Sequence, residues 1–224
     1  MDCQKEKPGF AFFEPLLLYL VLFFPSFSIG VSDIPGEPIP FSTVQELNRT
    51  LGYSLPTLAL LWYLILEKKS LSLSPGELKP KPQDGFSFFW GFPGLIIIGV
   101  GISLTITRLS PFSVPPKVQA PDNTLGWIVM VCSCVGTGYL EESYFRFYLL
   151  RKLKSWVPFI FPRIAFSVLL FAFCHAYEGP WGILNAVLAG VLLSILFERY
   201  RSLHGIAIAH GCYNAFVYTM GNFL

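Results

Sequence analysis

The stretch "TLGWIVMVCSCVGTGYLEESYFR", residues 124–146, decides what kind of chain this is. Fifteen uncharged residues lead into "YLEESYFR", where Glu141 and Glu142 are adjacent and Arg146 follows one turn later. A helix that crosses the hydrocarbon layer needs about 20 such apolar residues. The pattern recurs, with apolar segments at roughly 11–29, 52–66, 86–107, 124–148, 157–176, 181–197 and 204–222. Only 13% of the 224 residues are charged and 53% are hydrophobic, against about a quarter charged in a soluble domain. The expected fold is therefore all-α, a polytopic integral membrane protein of about seven transmembrane helices. Residues 1–115 hold about three of these helices with their loops, and 116–224 about four. The first segment follows Lys5 and Lys7 but contains Glu14 and lacks a small-residue cleavage site, so it reads as a retained helix and not a signal peptide. The segment 52–66 is the weakest, being short.

Loop charge sets the expected orientation. Of the 16 Lys and Arg, only Arg49, Arg108 and Lys117 fall on the side opposite the N-terminus, which leaves 16 − 3 = 13 on the N-terminal side. This asymmetry places the N-terminus in the cytoplasm of a multi-pass membrane protein, in the cell membrane if the source is bacterial. The net charge is +2 with no basic stripe, so nucleic acid is not an expected partner. Cys132, Cys134, Cys174 and Cys212 lie inside apolar segments and read as small packing residues. Cys132 and Cys134 point to different helix faces, which does not suit a metal pair. Ala186, Gly190 and Ser194 form a small-residue ladder suited to close helix packing. No chemistry is legible in the loop 30–51. Its "NRT" at Asn48 has the form of a glycosylation acceptor, a tripeptide common by chance.

An ionised side chain at mid-bilayer costs around 3 kcal/mol or more, so polar residues there are functional suspects. Glu142 and Arg146 have the spacing and order of a helical ion pair. Glu141 and Glu142 are separated by about 100° around the helix, which predicts that they do not share one cavity. Glu141 is then the carboxylate left available. "FAFCH", 171–175, puts Phe171 and His175 on one face, and "HGCYN", 210–214, does the same for His210 and Asn214. Each motif alone also reads as interfacial charge or as polar glue between helices.

Together and in this order, E-E-x-x-x-R, F-x-x-x-H and H-x-x-x-N resemble the CPBP family. These are the CAAX prenyl protease and bacteriocin-processing intramembrane proteases, also called Abi. "LLSILFERYRSLHGIAIAHGCYN", 192–214, is similar to the family's approach to its last motif, and the resemblance covers about 120–220. It implies that 116–224 is a CPBP-like catalytic helix bundle. It implies Glu141 as general base on a water, with His175 holding that water and passing a proton to the leaving amine. His210 and Asn214 would donate to the oxyanion, and Glu142, Arg146 and Phe171 would support the site. A carboxylate out of water is a stronger base, and paired donors suit a developing oxyanion, so the residue types fit those tasks. No cofactor is favoured. Glu141, His175 and His210 would be the ligands if a divalent metal such as zinc were bound. The expected partners are the lipid bilayer and a peptide or protein substrate, with or without a prenyl group. Two other readings use the same residues: a proton- or metal-coupled transporter, and a non-catalytic immunity or scaffold protein. A transporter would more often show an internal repeat, and none is visible.

Depth bears on whether the motifs meet. If the fourth helix ends near Leu150, Glu141 lies about 14 Å from its cytoplasmic end, with His210 about 9 Å and Asn214 about 15 Å along the last helix. His175 counts about 22 Å from Ile160, too deep unless the fifth helix tilts or begins late. Pro158 and Pro162 favour a late start.

Overall fold

The computed structural model describes residues 8–28, 40–67, 71, 73, 76–109 and 119–220. All regular structure among them is helical. Seven helices follow in chain order: α1 (Pro8–Ser28), α2 (Thr43–Leu66), α3 (Pro82–Leu109), α4 (Thr124–Lys154), α5 (Ile160–Cys174), α6 (Gly179–Tyr200) and α7 (Leu203–Met220). A single 3-10 turn, Ala176–Glu178, leads into α6. The seven helices match the seven apolar segments. Three stretches, Pro82–Leu109, Thr124–Lys154 and Ala176–Tyr200, are long and apolar enough to cross a membrane. Trp62, Phe89, Ile97, Leu104 and Phe161 point outward from the bundle. Such a surface belongs in lipid, and the chain is a membrane protein.

Two helix boundaries depart from the sequence reading. α2 begins at Thr43 and not near 52, because Ser42 caps it and accepts a hydrogen bond from the Gln45 amide. Ser42 and Gln45 have the spacing of a capping box, a signal present in the sequence. α4 runs on to Lys154, past the expected end at Leu150. Its middle, Ser143–Leu149, is π-helical, starting at the residue after Glu142. Such i→i+5 segments are rare and concentrate at functional sites.

By contact the helices run α2, α4, α7, α3, α6, α5, and the ring closes where α5 meets the π-helical part of α4. Two glycines set the central crossing. A Cβ on Gly138 would sit 2.6 Å from Ala207 O and 2.8 Å from the Gly211 amide, and one on Gly211 would sit 2.7 Å from Val135 Cα. The backbones of α4 and α7 therefore touch one turn from Glu142 and beside His210. Gly190 of the small-residue ladder does the same for α6, where Phe171, Val168 and Arg146 would crowd any added carbon.

α1 lies on the outside of this ring and docks through rings. Tyr19 and Phe23 pack on Tyr144 and Phe145 with centroids 4.9–6.2 Å apart. Tyr144 donates to Pro15 O at 2.6 Å, and Tyr19 to Leu170 O at 3.0 Å. Glu14 is held by Lys152 at 2.5 Å, by the Tyr148 hydroxyl at 2.7 Å and by Tyr63. The acid that interrupts the first segment is thus a three-helix fastening. Nearby, Arg151 pairs with Glu77, and Lys81 donates to Arg201 O. Arg201 ends α6 in the left-handed region (φ 51°), so only two residues separate α6 from α7.

Candidate active site

Three helices place the motif residues: α4, α5 with His175 at its cap, and α7. On α4, Glu142 and Arg146 are both completely buried and paired at 2.8 Å. The same oxygen, Glu142 Oε1, also accepts from His210 Nδ1 at 2.9 Å. The second nitrogen of that ring, Nε2, faces Glu141 Oε2 at 3.6 Å. Both carboxylates therefore meet one imidazole, which corrects the expectation from helical spacing. An imidazole carries a polar atom on two sides, so acids 100° apart can each find one.

The remaining Arg146 valences are partly used. Nη2 donates to Gly190 O at 3.4 Å, and the guanidinium lies 4.4 Å over the Phe171 ring. That ring contacts His175 at 4.6 Å and His210 at 6.0 Å. Phe171 is the wall that separates the two histidines and shields the arginine. His175 Nδ1 donates to Phe171 O at 2.8 Å, and a carbonyl can only accept. The neutral ring then keeps its lone pair on Nε2. Asn214 is half-buried one turn beyond His210. Glu141 is 8% exposed, within electrostatic reach of Cys174 and Tyr177.

Buried polar atoms almost always have a partner, so the exceptions mark places of interest. Seven buried side-chain atoms among the described residues lack one, and four cluster here: Glu141 Oε2, Glu142 Oε2, Ser143 Oγ and Arg146 Nε. Two carboxylates against one guanidinium also leave one negative charge, which a proton shared between Glu141 and His210 can balance.

The depths now agree for a different reason than expected. α5 starts at Ile160, not later. Because α4 reaches Lys154, Glu141 lies about 20 Å from its end, matching the roughly 22 Å counted to His175. Cross-helix bonds fix the same register: Arg163 donates to Leu150 O and Ser167 to Phe145 O. α7 starts deep, with His204 accepting from the Tyr139 hydroxyl at 3.0 Å, so His210 needs less travel along its helix.

Residues 123–216 match the family model described as type II CAAX prenyl endopeptidase Rce1-like. The motif-bearing segment is thus similar to the Rce1-like family. This agrees with the resemblance carried by the three motifs, all of which lie in the matched span. No curated protein and no solved structure matches the chain.

Whether the segment could hold a metal depends on its donors. Among the described residues no three His, Cys, Asp or Glu side chains converge to hold an ion. His210 Nδ1 is taken by Glu142, and His175 is turned onto Phe171 O. The ring nitrogens left for any ion are therefore the two Nε2 atoms, with Glu141 Oε2 3.6 Å from that of His210. Cys134 is buried and Cys132 exposed, as their spacing predicted.

Three groups near the Rce1-like site escaped the sequence reading. His204 accepts from Tyr139 and donates to Leu78 O at 3.0 Å, closing the cationic end of the site. Glu46 and Arg49 sit in the first turns of α2, where Glu46 Oε1 also accepts from Tyr218 at 3.2 Å. The Ser42 cap was the signal that would have put them on a helix.

Proposed function

We propose that the protein is an intramembrane endopeptidase of multi-pass topology, with its cationic loops and N-terminus in the cytoplasm. The observation that carries this reading is the buried Glu141 Oε2, without a hydrogen bond and beside the buried Glu142–Arg146–His210 cluster in an Rce1-like segment. A structural ion pair needs two groups. Here a second carboxylate and two imidazoles are added at the cost of desolvating each.

The chemistry runs as follows. Glu141 takes a proton from a water held with His175 Nε2, and the hydroxide adds to the carbonyl carbon of the substrate. The carbonyl oxygen becomes an oxyanion and receives hydrogen bonds from His210 Nε2 and Asn214. Glu142 fixes the His210 ring through Nδ1 and so aims Nε2, while Arg146 anchors Glu142. The C–N bond then breaks, and the amine leaves with the proton relayed from Glu141 through His175. No step uses a metal. The substrate class is a peptide or a membrane-protein segment, with or without a prenyl group.

The deciding experiment uses purified protein in detergent against a peptide library, with and without a farnesyl group. Wild type is expected to cleave, and to keep its rate after exhaustive chelation. Glu141→Gln is expected to lose turnover while retaining its elution volume and helix content. Turnover retained in Glu141→Gln removes the base from Glu141. Activity that vanishes on chelation and returns with one equivalent of zinc replaces this mechanism with a metal one.

A further inference from the structure

His175 caps α5 at a helix end that is open on one side. The last turn of a helix leaves carbonyls without intrahelical donors and frays unless something outside binds it. No basic side chain lies in the last turn of α5, and Phe173, Ala176 and Glu178 around it are exposed. The grip on this turn comes from α1. The Tyr19 hydroxyl donates to Leu170 O at 3.0 Å, and the Cys174 thiol donates to the same hydroxyl at 3.2 Å. Leu170 and Cys174 are four residues apart, so one oxygen holds both ends of the turn that carries Phe171. Phe171 O in turn accepts from His175 Nδ1, and the Phe171 ring lies against His175 and under Arg146. Tyr19, Phe171 and Cys174 are all buried, so these bonds are made inside the protein. The rings follow the same line, with Phe145 6.2 Å from Tyr19 and 5.1 Å from Phe171.

α1 lies outside residues 123–216, the span similar to the Rce1-like family. Its height in the bundle is set by Glu14, which Lys152 and Tyr148 hold from α4. Tyr19 follows Glu14 by little more than one turn, so that fastening also sets where its hydroxyl meets α5. We infer that Tyr19 is a positioning residue. Its hydroxyl holds the last turn of α5 so that the His175 ring keeps its bond to Phe171 O and its Nε2 lone pair stays in place for the water. The first helix is then part of the machinery and not an anchor alone. The word water rests on the endopeptidase reading, whereas the hold on the His175 ring is a property of the fold.

Tyr19→Phe removes the hydroxyl and keeps the ring. Tyr144→Phe is its control, since it deletes another α1 hydrogen bond, to Pro15 O, whose partners do not lie on α5. The chain has three histidines, so the ring nitrogen signals of isotopically labelled histidine can be followed one by one in detergent. His175 is assigned by the signal absent in His175→Gln. In Tyr19→Phe the two His175 nitrogen signals are expected to draw together, as in a ring exchanging tautomers, while those of His204 and His210 stay. In Tyr144→Phe all three rings are expected to stay. A His175 signal unmoved in Tyr19→Phe, or moved equally in Tyr144→Phe, overturns the inference. Cys174 gives a second pair of variants should Tyr19→Phe not fold. Cys174→Ala is expected to move the same signal and Cys174→Ser, which keeps a donor, to leave it in place. No difference between those two overturns the inference. With a cleaved peptide, Tyr19→Phe is expected to lose between about tenfold and a hundredfold in turnover number at a little-changed Michaelis constant. Full turnover per folded molecule, whatever the melting temperature, leaves Tyr19 a packing residue and overturns the inference. A wild type that cleaves nothing defeats the protease reading alone, and the histidine signals still decide whether Tyr19 holds the ring.

Discussion

Glu142 serves two partners with one oxygen, and that determines how the site responds to mutation. Glu142→Ala leaves Arg146 buried at 0% exposure with one weak bond to Gly190 O, and it frees His210 Nδ1. Arg146→Ala leaves Glu142 with His210 alone. Stranding one member of a buried pair costs about 3–5 kcal/mol, so each single variant should give little folded protein. The double variant should recover part of the yield, measured as the monodisperse fraction after detergent extraction. Additive losses would show that the two groups are not coupled. Asn214 sits differently, half-buried and one turn beyond His210. Asn214→Ala should fold normally and lose about 10²–10³ in single-turnover rate with binding little changed. Asn214→Asp should be slower still, since a carboxylate would repel the oxyanion. A raised Michaelis constant at unchanged turnover would assign Asn214 to holding substrate.

At the level of elements, the site depends on how closely α4 and α7 approach. Gly138 and Gly211 leave no room for one carbon, and the atoms in the way are backbone. Gly211→Ala should push the helices apart, lower the melting temperature in detergent and reduce turnover far more than Gly52→Ala, where an added carbon meets nothing. Equal behaviour of the two variants would mean the crossing can relax at no cost. The motif residues were legible in sequence because polar groups stand out in an apolar run. The crossing was not, since Gly138 and Gly211 look like many other small residues there. The π segment left no mark at all: "SYFRFYL" reads as ordinary helix, and only the backbone ladder distinguishes it. Judging Glu141 and Glu142 by helical angle failed because it considered where acids point and not that one ring can face both. Conversely, the capped start of α2 was readable in Ser42 and Gln45, and with it Glu46 and Arg49.

On the scale of the whole molecule, the seven apolar segments translated directly into helices, because about 20 apolar residues have few alternatives in a membrane. Their neighbours in space were not legible, and the fastening of α1 shows why. Glu14 bonds to Tyr148 and Lys152, which lie 134 and 138 residues later in the chain, and Tyr19 bonds to a carbonyl 151 residues on. At roughly 5–20 residues per second of synthesis, the first helix waits about 7–28 s in the bilayer before its acid meets Lys152. The newborn protein is therefore exposed to quality-control proteolysis for that interval, and a ribosome that stalls early leaves the acid stranded. A chain stopped at residue 120 should be degraded quickly in cells, and Glu14→Leu in that fragment should lengthen its pulse-chase half-life. In the full-length chain the same change should slow no degradation, because Lys152, Tyr63 and Tyr148 would then be the groups left without their acid.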